Sequence, residues 1–280
     1  MSAYRFCRTD DIALLVDALN RCWSPYFPDE PPMTPAAFKR SIRDLQVWCS
    51  SCMVAFSDSD AIGVLIGAKR ASGTLIHKIA VHPDHQRQGH GRHLLASLGS
   101  KLAILGPPRI IAEVPETLAP ACRLFIASGY VEEAVLTDYV LERGEGRAPG
   151  AAAMAGGFVI PVNLDDLAAN GLLEDAHPQA CWERSVETLT ARKDEITGLA
   201  VASEERIEAY LLYRGREIVS LRSVVEDGGA RLKQLLSRLG MGTFRFPKVH
   251  PTEIPTEHLE ALGFRPAGGH VLYAANARAE

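Results

Sequence analysis

The 280-residue sequence predicts two copies of one α/β architecture joined by a Gly/Ala-rich connection. Three observations point there. Helix and strand patterns follow one another up to about Arg143 in the order helix, helix, three strands, helix, strand, helix, strand. The stretch GEGRAPGAAAMAGG, from Gly144 to Gly157, then offers little to pack and reads as an interdomain linker. After it the strand, loop, helix, strand, helix order returns, which marks an internal repeat.

Each element of the first copy has a local reason. DDIALLVDALNRC, residues 10–22, carries apolar residues at helical spacing behind aspartates that charge its start. WSPYFPDEPPMTP is broken by prolines and makes a long loop before the second helical run, AAFKRSIRDLQ. SCMVAFS and AIGVLIGAKR are apolar strands joined by the turn-forming DSD, and GTLIHKIAV is a third. GRHLLASLGSKLAIL has helical periodicity, RIIAEV is a strand, and APACRLFIAS is a helix ended by the glycine of GYVEEAVLTDYVLER, which returns to strand. In the second copy GLAVASEERIEAYLLY lies over CMVAFSDSDAIGVLIG, and EIVSLRSVVEDGGARLKQLLSRL over LIHKIAVHPDHQRQGHGRHLLASL. FRFPKVHPTEIPTEHLEALGFRP lies over RIIAEVPETLAPACRLFIASGYVE.

Composition narrows the function classes. The formal net charge of -4 gives no basic field to draw the chain to nucleic acid. The N-terminus, MSAYRFCRTDD, lacks the apolar core of a signal peptide, and no apolar run approaches the roughly 20 residues that span a bilayer. Six cysteines, at 7, 22, 49, 52, 122 and 181, lack a framework spacing and read as reduced thiols, so a cytoplasmic protein without membrane contact is expected.

The segment HPDHQRQGHGRHLL, His82 to Leu95, carries the strongest signal. A glycine-rich loop between a strand and a helix presents backbone N–H groups at the positive end of that helix, where a phosphate is stabilised. Gly89 and Gly91 would let a ligand approach the backbone, and Arg87 and Arg92 would supply charge. A metal reading rests on His82, His85, His90 and His93, but Pro83 and the glycines interrupt their spacing and no carboxylate or cysteine cluster completes a shell. No metal is expected.

IAVHPDHQRQGHGRHLL resembles the signature of the GNAT superfamily of acetyl-CoA-dependent N-acetyltransferases, in which a strand ending in an apolar run leads into Q/R-x-x-G-x-G/A, here Gln86 to Gly91. EVPETLAPACRLFIASGY resembles the family's second signature. The resemblance covers the first copy and implies two GNAT-like domains in tandem, each a mixed, largely antiparallel twisted sheet flanked by helices. These would be a catalytic domain over residues 1–143 and a degenerate copy over 158–280 with a structural or acceptor-site role. It implies further that Ile79, Ala80 and Val81 line the pantetheine arm of acetyl-CoA. Arg87, Gln88, Gly89, His90, Gly91 and Arg92 would hold its pyrophosphate, and Phe125 would stand at the coenzyme in the place of the family's thiolate-protonating tyrosine.

Acetyl transfer to an amine requires that the amine lose a proton. Glu113 matches the position of the base in the alanine N-acetyltransferases of ribosomal proteins within this superfamily. His77, one strand over, suits the same duty by its ordinary pKa. Phe125 has no proton to give, so another group or water must protonate the thiolate, with Tyr130 and Tyr139 as remote candidates. The resemblance also implies that acceptor recognition falls to the loop holding Trp23, Tyr26, Phe27, Asp29 and Glu30, whose carboxylates could attract an ammonium group. In the second copy, VVEDGGARLK sets Glu226 and Asp227 where a pyrophosphate would have to sit, so coenzyme binding there is not expected. The expected activity is direct acetyl transfer to a primary amine of a small molecule or peptide, with a homodimer possible. The rival is a coenzyme-A-binding sensor or interaction module without turnover.

Overall fold

The computed structural model describes residues 2–144, 157–173 and 181–277; the connection read at 144–157 lies outside them apart from its two terminal glycines. Their contacts divide the chain into two compact units, residues 1–133 with 271–280 and residues 134–270.

The first unit opens with strand β1 (Ser2–Phe6), followed by helices α1 (Ile12–Cys22) and α2 (Pro35–Leu45). β2 (Met53–Ser57), β3 (Asp60–Arg70) and β4 (Gly73–Val81) come next, then helix α3 (His90–Leu105), strand β5 (Arg109–Pro115) and helix α4 (Ala119–Ala127). β1 has no counterpart in the order read from the sequence. It is five residues long, with only Tyr4 and Phe6 as large apolar side chains, so it shows too few alternations to be recognised. α1 buries the stripe Leu15, Val16, Leu19 and Cys22. α2 begins where the Thr34 hydroxyl accepts a hydrogen bond from the Ala37 amide at 3.1 Å, with Pro35 in the first turn where its missing N–H costs nothing.

β1 to β4 run antiparallel to their neighbours, while β5 joins β4 in parallel. Two irregularities shape the sheet. Ile66 pairs with Lys78 and Gly67 with Ile76, which leaves His77 as the extra residue of a β-bulge. Beyond Thr74↔Ile110 and Leu75↔Ile111 the parallel pairing stops, so β4 and β5 diverge past the bulge and open a wedge. Between the sheet and α3 and α4 lies a core of Leu65, Ile76, Leu94, Leu98, Ile110, Ala112 and Phe125, to which Tyr273 from the C-terminal strand belongs.

The second unit contains β6 (Val131–Arg143), β7 (Phe158–Val162), α5 (Leu164–Ala169), α6 (Val186–Ala191), β8 (Thr197–Ala202), β9 (Ile207–Arg214) and β10 (Glu217–Ser223). α7 (Ala230–Leu236), β11 (Gly242–Val249), α8 (Thr256–Ala261) and β12 (Phe264–Asn276) complete the chain. β7 to β10 are antiparallel, β11 joins β10 in parallel through the single pair Glu217↔Arg245, and β6 pairs antiparallel with β11. The register of β10 shifts between Ile218 and Ser220, as that of β4 does around His77. Both copies therefore have the mixed, largely antiparallel sheet with flanking helices that the sequence led us to expect.

Two strands are divided between the units. β6 follows α4 directly, yet from Ala134 onward it belongs to the second unit, and β12 from Val271 onward belongs to the first. There β12 lies beside β5, the Ala277 amide donating to the Pro108 carbonyl at 2.6 Å. No helix among the described residues is long and apolar enough to cross a membrane.

Candidate functional site

The loop after β4 is built by backbone conformations that its residues permit. The His82 ring accepts from the Asp84 amide, a short 3-10 turn spans Pro83–His85, and Arg87 and Gly89 both adopt positive φ, 60° and 89°. The two glycines serve different ends. A Cβ on Gly89 would meet nothing within 4 Å, so that position needs glycine for its left-handed backbone. A Cβ on Gly91 would stand 3.1 Å from Leu124 Cδ2, so that glycine lets α3 approach α4.

The His93 amide donates to the Gly89 carbonyl at 3.0 Å, and the amides before it in the first turn of α3 are those every helix leaves over. The residues that carry them, His90, Gly91 and Arg92, line a cavity of about 720 Å³ together with Ile79, Ala80 and Val81 of β4, the loop, and Leu118, Ala121 and Leu124 around α4. Trp23, Tyr26 and Phe27 close it from the α1–α2 connection. Arg87, Arg92 and Arg123 line it and, among the described residues, no carboxylate does, so both the helix start and the side chains favour an anion. Arg123, His85 and Leu118 are lining residues to which sequence reasoning assigns no part in coenzyme binding, His85 being weighed there only as a metal ligand. The spacing of Leu118, Ala121 and Leu124 along one helix face was the available signal.

Tyr26 Oη donates to the Val81 carbonyl at 2.5 Å and accepts from Gln86 Nε2, tying the α1–α2 connection to the end of β4. His90 sends its side chain into the protein, 5% exposed, with Nδ1 2.7 Å from Tyr4 Oη. Burial, reinforced by the neighbouring His85 and His93, holds its pKa below the ordinary histidine value. Among the described residues no group of three or more His, Cys, Asp or Glu side chains is placed to hold a metal ion.

Glu113 and His77 are half-buried, and neither lines the cavity. Ile110, Ala112 and Val114 pack into the core beneath α3, so alternation along β5 turns Glu113 to the opposite face of the sheet. Lys78 shares that face, because its neighbour Ile79 packs against the core. Trp23 stacks on Phe27 with centroids 4.4 Å apart, donates through Nε1 to Glu30 at 3.0 Å, and carries the Lys78 ammonium 3.7 Å from its ring centre. Asp29 and Gln88 are exposed and outside the cavity lining.

Phe125 is 1% exposed, stacked on Tyr273 at 5.5 Å and edge-on to Tyr130 at 5.2 Å. It fills the core and does not line the cavity. Burial pushes the Tyr130 phenol up, and Tyr139 packs in the second unit with its hydroxyl 3.0 Å from that of Thr256.

Residues 12–130 match the model of the acetyltransferase (GNAT) family. They form a GNAT domain. Solved structures extend the likeness to the whole chain. A tandem GNAT protein from the clavulanic acid biosynthesis pathway is 17% identical, with 99% of each chain covered and a TM-score of 0.64. A GCN5-related N-acetyltransferase from Sphaerobacter thermophilus is 15% identical over 99% of this chain and 96% of its own, at a TM-score of 0.67. One from Anabaena variabilis is 11% identical over 99% and 73%, at 0.63. The curated proteins contain no match to the sequence. At these identities the likeness establishes the tandem GNAT fold.

In the second GNAT-like copy the corresponding loop keeps its left-handed glycines, Gly228 (φ 63°) and Gly229 (φ 82°), before α7. Its amides are already engaged. The Asp227 carboxylate accepts from the Gly229 and Arg231 amides, each at 2.9 Å, and from Arg231 Nη1 at 3.0 Å. Burial opposes the ionisation of Asp227, but these hydrogen bonds outweigh it and hold its carboxyl below the usual range. The negative charge a phosphate would bring is supplied by the chain itself.

Proposed function

We propose that the GNAT domain transfers an acetyl group from acetyl-CoA directly to a primary amine of a small molecule or peptide. The loop from Arg87 to Arg92 carries this reading, because the residues with its leftover helix-start amides line a cavity that has three arginines and, among the described residues, no carboxylate. Acetyl-CoA would bring an activated thioester, and the chain's task is to bind, align and accept a proton. The loop would grip the diphosphate with its amides and with Arg87 and Arg92. The backbone of Ile79 and Val81 would align the pantetheine arm, which requires Tyr26 to release the Val81 carbonyl. Glu113 would take the amine's proton, with His77 as the alternative carrier. Direct transfer is favoured because, among the described residues, neither cysteine nor serine lines the cavity. Phe125 offers no proton, and since a thiol pKa of about 8.5 makes the thiolate an acceptable leaving group, water can suffice there.

The proposal includes a second copy that serves as a structural partner or borders the acceptor site. It also includes a cytoplasmic setting without nucleic acid or membrane partners, consistent with six free thiols, all but Cys122 buried. The test is thiol release from acetyl-CoA across a panel of amines. Glu113→Gln should lower kcat about a hundredfold with acetyl-CoA affinity retained, and equal rates would remove Glu113 from its role. Coenzyme binding with no turnover on any amine would favour the second reading, a coenzyme-A-binding module, to which the buried, hydroxyl-free Phe125 lends support.

A further inference from the structure

The carboxylate of Glu30 is held by two donors that converge on one oxygen. Trp23 Nε1 donates to Oε2 at 3.0 Å, and Lys78 Nζ stands 3.7 Å from the same atom. The two partners of the ion pair differ in how firmly they are held. Lys78 is the first residue past the β4 bulge, its side chain is 17% exposed, and its ammonium rests on the Trp23 ring. Glu30 lies on the connection between α1 and α2 and is 51% exposed. Lys78 is thus fixed to the sheet and Trp23 is held at the end of α1 by its stack on Phe27, while the Glu30 carboxylate is displaceable at little cost, since an ion pair with one half in water is worth little.

Lys78 also lies on the same face of the sheet as Glu113. An acceptor approaching Glu113 from that face meets a lysine beside an indole N–H. Amines carrying several positive charges gain nothing from Lys78, whereas an acceptor with a carboxylate next to its amine gains both donors.

We propose that Lys78 and Trp23 Nε1 form a receptor for a carboxylate of the acceptor, which takes the place Glu30 holds, and that the acceptor is an α-amino acid. This rests on the transferase reading of the same domain. Its test compares common α-amino acids with their primary amides and decarboxylated amines, by thiol release from acetyl-CoA, with acetyl-CoA binding followed separately by calorimetry. Turnover should be confined to carboxylate-bearing acceptors. Lys78→Met should raise the acceptor KM about tenfold or more with the acetyl-CoA KM as internal reference, Lys78→Arg should restore most of it, and Trp23→Phe should raise it less. Preference for the amides or amines overturns the proposal, as does an acceptor KM unmoved in Lys78→Met. Acetyl-CoA binding without turnover of any amino acid also overturns it and leaves the coenzyme site standing, whereas failure to bind acetyl-CoA overturns the domain's assignment itself.

Discussion

At the scale of single residues, His90 occupies two environments at once. Its backbone belongs to the anion-facing loop, while its ring is buried against Tyr4 and refuses a proton that the unfolded chain would accept. Unfolded protein therefore binds more protons than folded protein as the pH drops below the ordinary histidine value of 6.5, and stability falls with it. Thermal melts between pH 7 and 5 should show this loss, and His90→Leu should flatten the slope. An unchanged slope would mean that other groups dominate. The same scale explains the limits of motif reading. The family resemblance set Phe125 at the coenzyme, but successive helical residues are about 100° apart, so the cavity receives Ala121 and Leu124 while Phe125 turns into the core.

Among elements, the two strand-to-helix loops make a controlled comparison. Both use glycines in the left-handed region, and both follow a strand with an irregular register. They differ in what answers the helix start: in the second copy Asp227 does so internally. Replacing it with alanine removes a cap-like contact and should cost about 1 kcal/mol, read as a lower denaturation midpoint. A midpoint equal to that of the parent would show that the carboxylate is not needed there. Elements of this kind were legible in sequence because glycines punctuate them and apolar spacing is long enough to read. Residues 73–81 form the strand expected of them, and α3 begins one residue before the helix read from Gly91. β1 was not legible, and neither was the bulge at His77, since a bulge is defined by the partner strand and leaves no periodic trace.

For the whole molecule, the division of strands matters more than the repeat. Val131–Arg143 and Phe264–Asn276 are both long strands following a helix that ends in a glycine turn, so nothing in their patterning says which sheet each will join. The first unit draws Tyr273, 1% exposed, into its core from the far end of the chain. Ending the chain at His270 should therefore unfold the first unit and abolish acetyl-CoA binding. Loss of one buried aromatic side chain alone costs about 3–5 kcal/mol. Retained binding would show that the last strand is dispensable.

The most direct test of the coenzyme site is titration calorimetry of acetyl-CoA against the parent protein and a folded Gly89→Val/Gly91→Val variant. The parent should bind and the variant should lose affinity by about a hundredfold or more, because valine at 89 opposes the left-handed backbone that shapes the loop and valine at 91 presses on Leu124 at the cavity wall, so the helix-start amides lose their placement. Equal affinity in the two proteins would contradict the assignment of that loop as the diphosphate cradle.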